Sequence, residues 1–181
     1  MKPVVFIERD GVLNKTKMEN GHAVCPLELS SFEINEEVII PLRQLKQAGF
    51  LLIATTNQPG LSNGALNRRE MDLMHHALMR SLPLDDIMVC PHSPNESCPC
   101  RKPKPGLMLE AAFKWHIDLE RSFVISDKWQ DAQAAHLGGC TSILLRSPLN
   151  GQTRHDYVMD TLPEIAKKIL RLYQDNSLVI H

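Results

Sequence analysis

Glu8 and Asp10 stand just after the apolar run Val4-Val5-Phe6-Ile7. Thr56 and Asn57 follow a second apolar stretch, Phe50 to Ala54. Ser126 and Asp127 follow a third, Phe123 to Ile125, with Asp131 one helical turn further on. Carboxylates gathered in one place cannot all stay ionised without a cation. A hard, oxygen-preferring ion such as Mg²⁺ is the natural neutraliser, and it takes phosphate as a co-ligand. The matching positive charges lie in Arg101-Lys102-Pro103-Lys104-Pro105-Gly106, a proline-stiffened loop in which Gly106 opens a helix. Lys and Arg beside a helix N-terminus make an anion site, because the free N–H groups add to their charge. Acids with a metal, a hydroxyl and a basic loop are the equipment of phosphoryl transfer, whose anionic transition state needs neutralisation and positioning.

A second constellation precedes the basic loop. Cys90, His92, Cys98 and Cys100 offer three thiolates and an imidazole, a complete tetrahedral set for Zn²⁺. With all four positions filled by protein, such a site is structural, and it would brace the loop that delivers Arg101 and Lys102. Cys25 and Cys140 stand alone, as do His75, His76, His116 and His136, and each reads as surface or core. Met71, Met74 and Met79 fit helix packing better than a cofactor box.

The elements that must position these groups follow from the apolar periodicity. Val4 to Ile7 reads as a strand buried on both faces, and residues 11–35 read as a long loop without a period. Val38, Leu42 and Leu45 recur at helical spacing from Glu36 to Ala48, with Gly49 as a stop. Strands are predicted at Phe50 to Ala54, Ile87 to Val89, Phe123 to Ile125 and Thr141 to Leu145. Helices are predicted from an Asn67 cap to about Ser81, over Gly106 to His116, over Lys128 to Leu137 and over about Leu162 to Tyr173. This alternation predicts an α/β fold, a doubly wound, mostly parallel sheet flanked by helices with right-handed crossovers. In that fold ligands bind beyond the carboxyl ends of the strands, which is where the polar residues fall. A lone Asp-Gly pair, a Thr-Asn-Gln turn or an Asp before a helix is ordinary turn and cap chemistry; it is the ordered conjunction at successive strand ends that argues for a site.

Composition narrows the setting. The 181 residues carry 20 Lys+Arg against 21 Asp+Glu, a formal net charge of −1, with 43% hydrophobic and 23% charged residues. This suits one globular domain spanning residues 1–181. It argues against a dedicated nucleic-acid binder, which needs clustered Lys and Arg. No apolar run approaches the roughly 18 residues of a membrane helix, and the N-terminus lacks the pattern of a secretory signal. Five cysteines, an odd number, fit a reducing cytoplasm better than a disulfide framework. A cytoplasmic monomer is expected.

The ordered motifs ERDGVLN, TTNQPG, CPHSPNESCPCRKPKPG and SDKWQDAQAA resemble those of the haloacid dehalogenase superfamily of phosphatases. Within it the chain is similar to the D-glycero-D-manno-heptose 1,7-bisphosphate 7-phosphatases and the related histidinol-phosphatase domains. The resemblance runs from Val4 to about Arg146, and the zinc loop leading into Cys-Arg-Lys-Pro is its most specific part. It implies a doubly wound fold with little or no cap domain, a catalytic Mg²⁺ and a structural Zn²⁺. The implied substrate is a small phosphorylated sugar or amino alcohol. By position it implies that Asp10 is the general acid and base, with its backbone carbonyl touching the metal. Thr56 would hold the transferring phosphoryl group, Lys102 would neutralise it, and Asn57 and Arg101 would contact substrate. Glu8, Asp10 and Asp127 would hold Mg²⁺, with Asp131 steadying the site.

The chain departs from that pattern at the nucleophile, where the family has Asp and this chain has Glu8. One added methylene moves a carboxylate by about 1.5 Å, and misplacement of about 1 Å can cost on the order of 10²-fold in rate. Metal and phosphate binding are therefore expected to survive better than turnover. Asn63 stands where family members often carry Arg, and the residue 14–25 loop is atypical. Two further readings stay open: a catalytically silent phosphosugar-binding domain, for which Glu8 argues, and a zinc-module nucleic-acid binder or polynucleotide phosphatase, against which the balanced charge argues.

Overall fold

The computed structural model describes residues 1–178. Strand β1 (Val4–Glu8) is buried along its whole length, as a run with apolar side chains on both faces must be. It lies at the centre of a six-stranded parallel sheet. On one side β1 pairs with β4 (Leu51–Asn57), which pairs with β5 (Asp86–Cys90). On the other it pairs with β6 (Phe123–Ser126), then β7 (Thr141–Leu145) and β8 (Tyr157–Met159). The register sets Glu8 beside Thr55, Asn57 beside Cys90 and Ser126 beside Leu144, so the carboxyl ends of the central strands finish at one edge.

Helices cover both faces. Val5 and Ile7 of β1 face one core together with Leu42 and Leu45 of α1 (Ile39–Gln47) and Ile165 and Ile169 of α6 (Leu162–Leu178). Val4 and Phe6 face the other core with Met108 and Ala111 of α4 (Gly106–Trp115) and Ala134 and Ala135 of α5 (Trp129–Gly138). Burying a side chain of this size stabilises by roughly 1.5–3 kcal/mol, and a period of two on a strand buried on both sides feeds both layers at once. Between β4 and β5 lie a single turn, α2 (Gly60–Asn63), and α3 (Arg68–Ser81). Asn67 caps α3 as its sequence predicts, its side chain accepting from the Arg69 N–H at 2.8 Å. Met71 and Met74 pack inward from α3, but Met79 is exposed and does not join the core.

Two elements depart from the expected loops. Lys17–Glu19 and His22–Val24 form a small antiparallel hairpin, β2 and β3, within the stretch read as irregular. Its strands are three residues long and mostly exposed, so no apolar alternation announces them. Strand β8 adds a sixth strand at the sheet edge, in a segment for which the sequence predicts no element before Leu162. Residues 179–181 at the chain end lie outside the described residues. Among the described residues no helix is long and apolar enough to cross a membrane.

Candidate active site

Asp10 is the most densely held group at the sheet edge. Its Oδ1 accepts from Arg9 Nε at 3.2 Å, Arg9 Nη2 at 2.9 Å and Asn14 Nδ2 at 3.0 Å. Its Oδ2 accepts from Gln58 Nε2 at 2.6 Å and Thr56 Oγ1 at 3.3 Å. Burial alone would raise its pKa, but the Arg9 charge and the bonds from Arg9 and Asn14 hold the carboxyl below the usual carboxylate range. Arg9 is itself fully buried and meets His75 Nε2 through Nη1 at 3.0 Å. Burial and the neighbouring Arg9 charge push His75 down to about 4.

Glu8, two residues earlier, follows a different path. Its carboxylate accepts from Lys102 Nζ, which also donates to Asp131 Oδ1 at 2.7 Å and to the Thr55 carbonyl at 3.3 Å. Burial, then repulsion from Asp131, pushes Glu8 up to about 8 despite Lys102 and Lys128 nearby. Lys102 is held in its charged form against the same burial by Asp131 and Glu8. Asn57 clamps the Lys102 backbone from both sides, accepting from its N–H at 3.1 Å and donating to its carbonyl at 3.2 Å.

Asp127 turns toward Gly11 and pairs with Lys128 Nζ at 2.7 Å, and Lys128 Nζ also donates to the Asp10 carbonyl. It does not cap α5, whose N-terminus carries no side-chain cap. Gly11 has φ +98°, and a Cβ there would meet Asp127 Oδ2 at 2.4 Å, so only glycine admits this approach. The Asp127 carbonyl is fastened by Ser147 Oγ at 2.6 Å and Asn150 Nδ2 at 3.0 Å.

These groups frame a cavity of about 210 Å³ lined by Glu8, Asp10, Asn57, Arg101, Lys102, Lys128 and Asp131, with Cys25 from the end of the hairpin loop. It adjoins a wider cavity of about 620 Å³ that shares Arg101 and Lys128 and adds His22, Trp129, Leu149 and Gly151. The structure thus brings together Glu8, Asp10, Lys102, Asp127 and Asp131. Two expected roles look different here. Thr56 is fully buried, its hydroxyl engaged by Asp10 and Gln58 and absent from the cavity wall. The Asn57 carboxamide is occupied by the Lys102 backbone. Both hold other site residues in place.

Sequence reasoning missed Arg9, Asn14, Gln58 and Lys128, and passed over Cys25 as solitary. Arg9 and Asn14 lie inside ERDGVLN, Gln58 inside TTNQPG and Lys128 inside SDKWQDAQAA, motifs already singled out, which was the available signal.

The thiol and imidazole set converges as expected. Cys90 Sγ lies 3.8 Å from Cys98 Sγ and 3.5 Å from His92 Nδ1, and Cys100 Sγ lies 3.3 Å from His92 Nδ1. All four ligand atoms lie within 4.8 Å of one another, so the group could hold a metal ion. Zn–S bonds of about 2.3 Å in a tetrahedron put ligand atoms roughly 3.5–3.8 Å apart, so the spacing fits. Arg101 Nη1 bonds the His92 carbonyl at 3.0 Å and Lys104 Nζ the Cys98 carbonyl at 2.5 Å, tying the basic loop to this cluster. A Cβ on Gly106 would meet the Pro99 carbonyl at 2.2 Å, so glycine lets α4 start against the same loop.

A divalent cation also fits the sheet edge. The Glu8 carboxylate, the Asp10 carbonyl and the Asp127 carboxylate are hard oxygen donors of the kind Mg²⁺ takes. The Asp10 carbonyl and Asp127 Oδ1 already share one cationic donor, and Asp131 Oδ2 is buried with no hydrogen-bond partner among the described residues.

The HAD-hydrolase-like family model matches residues 99–169. The D,D-heptose 1,7-bisphosphate phosphatase of B. bronchiseptica, solved with magnesium and phosphate, superposes with a TM-score of 0.79. It is 26% identical, and the match covers 94% of this chain and 99% of that one. The D-glycero-beta-D-manno-heptose-1,7-bisphosphate 7-phosphatase of Yersinia pestis is 32% identical over 95% of this chain and 97% of its own length. The enzyme of the same name from Escherichia coli (strain K12) is 32% identical over 92% and 93%. The chain belongs to the D-glycero-beta-D-manno-heptose-1,7-bisphosphate 7-phosphatase family.

Proposed function

We propose that the chain is a single-domain phosphatase that removes one phosphate from a small sugar phosphate of the heptose bisphosphate kind, using Mg²⁺ and a phosphoenzyme on Glu8. The observation that carries this reading is the convergence of Glu8, Asp10, Lys102 and Asp131 on one small cavity at the carboxyl edge of the sheet, with Asp127 held against it through Lys128. The relatives' names supply the substrate class, and the wider cavity beside it, with Arg101, Lys128 and His22 on its wall, suits a sugar carrying a second phosphate.

In the first step a Glu8 carboxylate oxygen attacks phosphorus, the bond to the sugar oxygen breaks, and Asp10 gives that oxygen a proton. In the second, Asp10 takes a proton from water as its oxygen attacks phosphorus, and the bond to Glu8 breaks. Lys102 neutralises charge on Glu8 and on the phosphoryl oxygens throughout, oriented by Asp131 and by the Asn57 clamp. Mg²⁺ would be held by Glu8, the Asp10 carbonyl and Asp127, and when bound it supplies the positive charge that lets acids and phosphate share the cavity. Arg9 and Asn14 hold Asp10 ionised at rest, so proton delivery to the leaving oxygen is the step this site supports least well. Zn²⁺ on Cys90, His92, Cys98 and Cys100 would have a structural role, keeping Arg101 and Lys102 in place.

The test is release of inorganic phosphate from D-glycero-D-manno-heptose 1,7-bisphosphate and from histidinol phosphate with Mg²⁺. Slow, Glu8-dependent release from the heptose bisphosphate is expected. Release from neither substrate by the wild-type chain or by Glu8→Asp would defeat the reading. A second reading, a silent phosphosugar-binding domain, is favoured by the engagement of Glu8 with Lys102. It requires ligand-induced thermal stabilisation with no phosphate released by the wild-type chain.

A further inference from the structure

Lys128 contacts the groups assigned to Mg²⁺ but takes no part in the two proposed chemical steps. It sits between β6 and α5 in extended conformation (φ −125°, ψ 144°), its N–H fixed to Ser126 Oγ at 3.0 Å. From there the side chain lies where the small and the wider cavity meet, lining both. Its Nζ donates to the Asp10 backbone carbonyl and, at 2.7 Å, to Asp127 Oδ1. Those are two of the three groups assigned to Mg²⁺ above. The third, Glu8, lines the same small cavity as Lys128. A primary ammonium and a small divalent cation therefore seek the same oxygens, and one position cannot hold both.

We propose that Lys128 is a tethered surrogate cation: it holds the Asp10 carbonyl and Asp127 in the metal-free protein, and a divalent ion must displace its ammonium to bind. This rests on the metal reading given above. Two consequences follow from the geometry. The acids stay neutralised and in place without metal, so the edge does not spring apart by mutual repulsion. Metal binding is weakened by the cost of breaking the Lys128 contacts, a charge-assisted bond to Asp127 among them. The displaced ammonium remains on its tether beside the wider cavity that Lys128 also lines, where an anionic substrate would meet it. Metal entry and substrate anion binding then support one another, because each favours the same outward position of one side chain.

The experiment is calorimetric titration of the folded protein with Mn²⁺ and with Mg²⁺, without substrate, comparing wild type with Lys128→Met. Loss of the competing ammonium is expected to tighten binding by about tenfold or more. Lys128→Met also removes a buried partner, so a parallel measurement uses the unmodified chain. Acetylation of lysines by a mild acylating reagent, read peptide by peptide, should rise at Lys128 as Mn²⁺ is added and stay low at Lys102. Unchanged acetylation of Lys128 across a titration in which the metal does bind, or equal affinity of a folded Lys128→Met variant, overturns the proposal. Binding of neither metal by either protein overturns the metal reading along with it, which separates the two failures.

Discussion

Lys102 donates from Nζ to the Glu8 carboxylate, joining residues 94 positions apart in the chain. One end of this pair is the last residue of the central strand, and the other is the second residue after the Cys and His cluster. The end of the central strand and the basic loop are thereby coupled, and Asp131 closes the arrangement from α5. Each side chain is at least nine-tenths buried, so removing one partner would leave a buried polar group without its counterpart.

Glu8→Asp withdraws the carboxylate by one methylene, to the shorter reach that the resemblance implies for the nucleophile. Turnover of heptose bisphosphate by Glu8→Asp is expected to exceed the wild type by on the order of 10²-fold, in kcat more than in KM. Steady-state phosphate release at saturating Mg²⁺ checks this. Equal rates would mean that the backbone already compensates for the longer side chain.

Asp131→Ala leaves Lys102 with only one of its two carboxylates in a buried site. A loss of about 3–5 kcal/mol in stability is expected, as for other broken buried ion pairs, measured by urea denaturation. Asp131→Asn keeps the shape and one acceptor, so its loss should be smaller.

Removal of metal from the thiol cluster should act at a distance. The purified protein is expected to carry one zinc per chain by elemental analysis, and Cys98→Ser to carry less. The Arg101 and Lys104 side chains bond carbonyls of this cluster, so loss of zinc should raise hydrogen exchange over residues 100–106 before it affects β7 or β8.

His75 predicts an acid-sensitive fold. Folded His75 sits near pKa 4, pushed down by burial and then by Arg9, whereas an unfolded histidine sits near 6.5. Between those values the unfolded chain binds a proton that the folded chain refuses, so stability falls as pH drops through that window and is fully present above it. The contribution is on the order of 3 kcal/mol. Denaturation midpoints from pH 7 to pH 4.5 should fall less steeply in His75→Gln than in the wild type.

Much of this protein is legible without coordinates. The apolar runs at Val4, Phe50, Phe123 and Thr141 become sheet strands because a doubly covered sheet needs continuous hydrophobicity. The polar residues that follow them mark the carboxyl edge, and the close spacing from Cys90 to Cys100 announces a tetrahedral ligand set. These are local properties of short segments, and they survive whatever the rest of the chain does. The tertiary structure alone decided how the side chains share one another. Arg9 and Gln58 converge on Asp10 from different strand ends, Asn57 and Thr56 are drawn into holding other residues, and Lys128 turns inward onto Asp10 and Asp127. Hairpin β2–β3 forms without an apolar period of its own through pairing of its two strands, and edge strand β8 is too short to announce itself although Tyr157 and Met159 pack against the core. Hydrogen bonds and ion pairs between residues tens of positions apart depend on strand register and crossover geometry, which no short stretch of sequence encodes.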